Sequence, residues 1–160
     1  MNDPQVTVRA ARAGDAPALA ALSTELGYPV EAAQIATRLS GLLAGADDVV
    51  LVAVAAEREI VGFVHAAEKR LLVSEPFVEL EGLIVAAGAR RRGAAGLLLE
   101  AVERWTRARG VGELRVRARL ERDAADLFYR RRGFELEKQQ RVFTRRLMPG
   151  QTPGAGPAGV

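Results

Sequence analysis

Apolar positions along the chain change between a spacing of two and a helical spacing of three to four, and these changes divide it into elements. Gln5 to Ala10 alternates and predicts a first strand. Asp15 predicts a helix cap, Pro17 fits the first turn, and Leu19, Leu22 and Leu26 form one apolar face that Gly27-Tyr28-Pro29 ends. Ile35, Leu39 and Leu42 mark a second helix. Val49–Ala56 and Ile60–Ala67 are β-like, and the short polar link Glu57-Arg58-Glu59 predicts a hairpin. Phe77–Val85 is the next strand, after the Ser74-Glu75-Pro76 break. Gly93–Arg109 reads as an amphipathic helix with Leu97, Leu98, Ala101, Val102, Trp105 and Ala108 on one side, Trp105 as core, and Gly110 as terminator. Glu113–Ala118 is a strand and Arg122–Arg132 a short helix closed by Gly133. Phe134 onward and Arg141–Leu147 supply the last strands. The order is βααβββαβαββ: an α/β (α+β) arrangement on a mixed, mostly antiparallel sheet flanked by helices. It predicts one domain over residues 1–148 and a flexible tail, rich in Gly, Pro and Ala, over 149–160.

Composition narrows the class. A chain of 160 residues, 49% hydrophobic and 27% charged, buries enough surface to fold without staples. It has no cysteine and a single histidine, so neither a thiol nucleophile nor a multi-histidine metal site is expected. His65 reads as a packed strand residue. The longest apolar run, Val49–Ala56, is far short of the ~20 residues that span a membrane. With no secretory pattern at the start, a soluble cytoplasmic protein is expected. The net charge of +3 gives little support for nucleic-acid binding.

Candidate chemistry is concentrated in Phe77 to Leu99, FVELEGLIVAAGARRRGAAGLLL. A strand runs into a turn of arginines and small residues and then directly into a helix. Such a turn aims unpaired amides, backed by the helix dipole, at one point where phosphate oxygens can sit. Gly93, Ala95 and Gly96 would let a diphosphate approach the backbone, with Arg90, Arg91 and Arg92 at the rim. Neither the P-loop nor the dinucleotide glycine fingerprint is present. On these residues alone, a phosphate cradle and a polar turn packed with small residues are equal readings.

Further along, Glu121 to Phe134 reads ERDAADLFYRRRGF. Together the two segments resemble the GCN5-related N-acetyltransferase (GNAT) superfamily, as found in small bacterial members. Its cofactor motif Gln/Arg-x-x-Gly-x-Gly/Ala is matched by Arg90-Arg91-Arg92-Gly93-Ala94-Ala95. Its strand pattern is matched by Leu80-Glu81-Gly82-Leu83-Ile84-Val85, and its Phe/Leu-Tyr-x-x-x-Gly-Phe by Phe128 to Phe134. The resemblance implies the GNAT fold over nearly the whole chain, with acetyl-CoA as cosubstrate and direct attack by an amine on the thioester. The acceptor would be a small amine, an aminoglycoside-like compound, an amino acid or a protein amino group.

It further implies that the backbone of Leu83, Ile84 and Val85 meets the pantetheine arm where two strands splay, with a bulge at Gly82 opening the gap. The amides from Arg91 through Gly93, Ala94, Ala95 and Gly96 to Leu97 would hold the pyrophosphate. Tyr129 would protonate the departing sulfur. Glu81, or Glu79 on the same face, is the candidate base, its carboxylate desolvated by an apolar strand. Tyr28 reads equally as an acceptor-pocket residue or a turn residue before Pro29. Arg122 stands where the family often has asparagine and Asp126 where similar sequences often have histidine. A non-catalytic acyl-CoA-binding module on the same fold is the alternative, and a homodimer is the default among oligomers.

Overall fold

Runs of consecutive buried residues in the central strands, and one buried stripe along the long helix, go with a five-stranded sheet that has helices on both faces. The computed structural model describes residues 5–147, and the chain divides into two units at Arg117/Ala118. In the first unit the strands are β1 (Thr7–Ala10), β2 (Asp48–Val54), β3 (Ile60–Lys69), β4 (Phe77–Val85) and β5 (Leu114–Val116). Their spatial order is β1-β2-β3-β4-β5, antiparallel except for the parallel β4–β5 pair. The helices are α1 (Ala16–Glu25), α2 (Ala32–Ala44) and α3 (Ala94–Ala108).

One sheet face packs on α1 and α2 through Leu19, Ile35, Leu39, Val50, Val52 and Phe63. The opposite face receives α3. Leu98, Leu99 and Val102 are fully buried, as are Val64 and Val78, each stabilising the unit by about 1.5–3 kcal/mol. The α3 stripe differs from expectation: Leu97 and Ala108 are exposed, and Trp105 is half-buried beneath the Arg109 guanidinium, 4.7 Å from its ring centroid. Helical geometry instead turns Ala94, Leu98, Ala101 and Val102 to the sheet, rotating Leu97 and Ala108 off that line.

Gly62 sets how closely α3 approaches. A Cβ there would lie 2.9 Å from the Ile84 carbonyl oxygen, 3.0 Å from Val85 Cγ2 and 3.4 Å from Leu98 Cδ1. Gly62→Ala is therefore expected to cost about 1–3 kcal/mol through overpacking, read as a lower melting midpoint. An unchanged midpoint would show that strand and helix separate freely.

The second unit holds α4 (Asp123–Arg131). It ends in a Schellman motif: Phe134 N–H donates to the Tyr129 carbonyl at 3.1 Å and Gly133 N–H to the Arg130 carbonyl at 3.1 Å. Gly133 sits at φ +85°, a conformation that side chains resist. The two strands expected over residues 134–147 are absent: this stretch carries no regular element, and Val142, Phe143 and Leu147 are exposed. Its alternating pattern has no ladder partner here, and β propensity alone does not hold a strand. The tail expected over 149–160 lies outside the described residues.

Candidate functional site

The site is built where β4 changes neighbours. Its first half is paired on both sides, with β5 matching only Val78, Glu79 and Leu80. Beyond Leu80, β4 continues to Val85 on β3 alone, leaving one backbone edge open among the described residues. The ladder also slips here: His65 faces Gly82 while Ala66 faces Leu80. Glu81 is the extra residue of a β-bulge, one position before the glycine expected to mark it.

Past the bulge the backbone alternates in direction. Ala86 N–H donates to the Val61 carbonyl at 2.8 Å, so Ile84 also serves β3, and Leu83 and Val85 turn toward the open edge. Of Leu83, Ile84 and Val85, two therefore point to that edge and one does not. The Val85 carbonyl accepts from Arg90 Nε at 3.3 Å, which folds the arginine turn back over the strand end.

A 3-10 turn, Ala87–Arg92, leads to Gly93, the N-cap of α3 at φ +74° and ψ 9°. The first bond inside the helix runs from Leu97 N–H to the Gly93 carbonyl at 3.0 Å, leaving the amides of Ala94, Ala95 and Gly96 without an intrahelical partner. Leu97, expected among the phosphate-binding amides, spends its own on the helix. Ala94 and Gly96 are buried, whereas Arg90, Arg92 and Gly93 are exposed. A Cβ built on Gly93 meets nothing within 4 Å, so its outer side is open for a ligand.

The two candidate carboxylates have different surroundings. Glu79 is buried, and its Oε1 lies 2.5 Å from Arg117 Nε. Glu81 keeps a third of its side chain exposed and forms an ion pair with Lys69, so the desolvated setting expected for it is absent. The bulge is the cause, because it breaks the alternation that would have matched Glu81 to Glu79. Lys69 is raised above the ordinary lysine range by its hydrogen bond to Glu81, against some desolvation, with Glu79 and Asp48 adding to the field. His65 Nε2 lies 2.7 Å from Asp48 Oδ1, so the histidine read as packing belongs to a polar pair on β2 and β3. This residue carried a sequence signal only as the single histidine. Lys69 carried none.

Tyr129, on α4, is half-buried between Phe128 and Phe134, edge-on to both at centroid distances of 5.1 and 5.3 Å. Burial pushes its phenol above the ordinary value of about 10, which keeps the hydroxyl protonated and able to donate. Tyr28 follows α1, is 42% exposed, and donates its N–H to the Ser23 carbonyl at 2.8 Å. Asp126 accepts from Arg130 Nε at 2.7 Å on the exposed side of α4.

The open edge beside the bulge leads into a small-residue turn and a helix N-terminus, the arrangement that the sequence resemblance implies for an acyl-CoA-dependent acyltransferase. The sequence profile of the acetyltransferase (GNAT) family matches residues 19–134, and the chain belongs to that family. A curated relative, aminoglycoside N(6')-acetyltransferase type 1 of Stenotrophomonas maltophilia, is 36% identical over 143 residues, covering 87% of this chain and 92% of that protein. Among solved structures, the aminoglycoside antibiotic 6'-N-acetyltransferase AAC(6')-Ih from Acinetobacter baumannii matches with a TM-score of 0.79 at 20% identity, over 90% of this chain and all of that one. AAC(6')-Iy in complex with the bisubstrate analogue CoA-S-monomethyl-acetylneamine matches with a TM-score of 0.77 at 23% identity, over 90% of this chain and 99% of that one. At these identities the solved structures establish the fold. The protein is an acetyl-CoA-dependent N-acetyltransferase. Among the described residues, no helix is long and apolar enough to cross a membrane.

Proposed function

We propose that this chain acetylates a small, multiply charged amine of the aminoglycoside kind, acting as a bacterial cytoplasmic enzyme. The observation that carries the reading is the open edge of β4, which begins at a bulged carboxylate and ends at the α3 N-terminus. Leu83 and Val85 would meet the pantetheine amides in place of a missing strand. Arg91, Gly93 and the amides of Ala94, Ala95 and Gly96 would receive the pyrophosphate, with Arg90 and Arg92 at the rim. The chemistry then needs two proton transfers: the acceptor ammonium must lose one before attack, and the departing thiolate must gain one. Glu81 is the base in this reading, directly or through a water, with Glu79 the second choice because Arg117 already engages it. Tyr129 is the acid, and Tyr28 borders the acceptor. The acceptor class is supported by the name of the 36% identical relative and by three carboxylates, Asp48, Glu79 and Glu81, around one stretch of the sheet.

Thiol release from acetyl-CoA against a panel of aminoglycosides, polyamines, amino acids and peptide amines tests the function. Turnover confined to peptides or amino acids would overturn the acceptor class. Tyr129→Phe should lower kcat by about 10²-fold with acetyl-CoA affinity retained. Because the phenol is held above its usual value, any alkaline loss of activity due to Tyr129 falls above pH 10 and is missing from the variant. A fully active Tyr129→Phe enzyme would remove the acid.

A further inference from the structure

In the β3–β4 ladder Glu81 has no partner on β3, so side-chain contact rather than the pleat governs where its carboxylate goes. That contact is Lys69 Nζ with Glu81 Oε1. Alternation along β3 puts Lys69 on the same sheet face as His65 and Ala67. Ala67, too short to fill the space, is flanked by Asp48 on β2 and Glu79 on β4. The Lys69 ammonium thus stands among three carboxylates, in contact with Glu81 and in the field of the other two.

Those other two have cationic or polar partners of their own. Asp48 has His65 at 2.7 Å and Glu79 has Arg117 at 2.5 Å. Arg115, the next cation on β5, lies 3.8 Å over the Phe77 ring. The helices packed on this face contribute Glu25 from α1 and Arg38 from α2 as their only charged residues. Lys69 is therefore the counter-ion that the fold assigns to Glu81.

We propose that Lys69 is a positioning residue for acetyl transfer, its ammonium holding the bulged Glu81 carboxylate oriented to take the acceptor's proton. This rests on the reading of Glu81 as the base. The contact restrains a carboxylate that the ladder leaves without a partner on β3. Without the ammonium that restraint is lost, and the carboxylate spends less time in the geometry that proton transfer needs.

The test compares kcat, KM for one amine acceptor and acetyl-CoA affinity in the wild type, Lys69→Met, Lys69→Arg and Glu81→Gln. In Lys69→Met kcat should fall by about tenfold, less than in Glu81→Gln, because the carboxylate remains but is no longer held. Acetyl-CoA affinity should hold, and Lys69→Arg should restore kcat. A third of the Lys69 side chain is exposed, so the variant is expected to fold, and Lys69→Gln provides a second neutral replacement carrying the same expectation. Neutral variants whose kcat matches the wild type, while Glu81→Gln loses turnover, would overturn the role of Lys69 and leave Glu81 as base. Unaltered turnover in Glu81→Gln would remove the base itself, and this role with it.

Discussion

Replacing Glu81 by glutamine is expected to lower kcat by about 10²-fold while acetyl-CoA affinity stays within about twofold, the pattern of a lost general base. The substitution keeps the shape of the side chain and removes only its charge. Its structural cost is small, because an ion pair this exposed contributes about 0–1 kcal/mol. A 10²-fold rate loss corresponds to about 2.7 kcal/mol of barrier, more than disruption of the Lys69 contact supplies. Steady-state thiol release gives kcat, and calorimetry gives the acetyl-CoA affinity. Turnover unchanged in Glu81→Gln would transfer the role to Glu79 or to water.

Gly93→Val is the second large effect. At φ +74° a β-branched residue is strained by roughly 1–2 kcal/mol, so the melting midpoint should fall by about 2–8 °C for a chain of this size. The greater effect is on the ligand. The space outside Gly93 is open, and a valine there would project into the approach to the three unpartnered amides of α3. Acetyl-CoA affinity should drop at least about tenfold, equivalent to 1.4 kcal/mol, when measured by calorimetry well below the melting midpoint. Undiminished affinity would place the diphosphate elsewhere and undo the cradle between Arg91 and Gly96.

Much of this architecture was legible in local pattern. Phe77–Val85 was read with the bounds it has, and the stripes of α1 and α2 lie as their spacing requires. Gly133 ends α4 where the local signal put it, because a left-handed terminus needs only a residue without Cβ. The arginine-glycine turn and the helix after it were equally visible, since composition and periodicity act within a few residues of each other.

Read alone, the chain determined its elements, its family resemblance and the residue types gathered at the turn. Pairing decided the remainder. A glycine flagged the bulge, but only the β3–β4 register shows that Glu81 is the extra residue, and only the folded chain brings Lys69 to it. Leu83 and Val85 are separated from Ile84 by the direction of ladder hydrogen bonds, which depends on a neighbouring strand. The alternating residues after Gly133 show the same limit, having strand chemistry and no partner to make them a strand. Helical order is settled by contacts three and four residues apart, whereas a sheet position is settled by another segment of chain, and local spacing carries no record of which segment that will be.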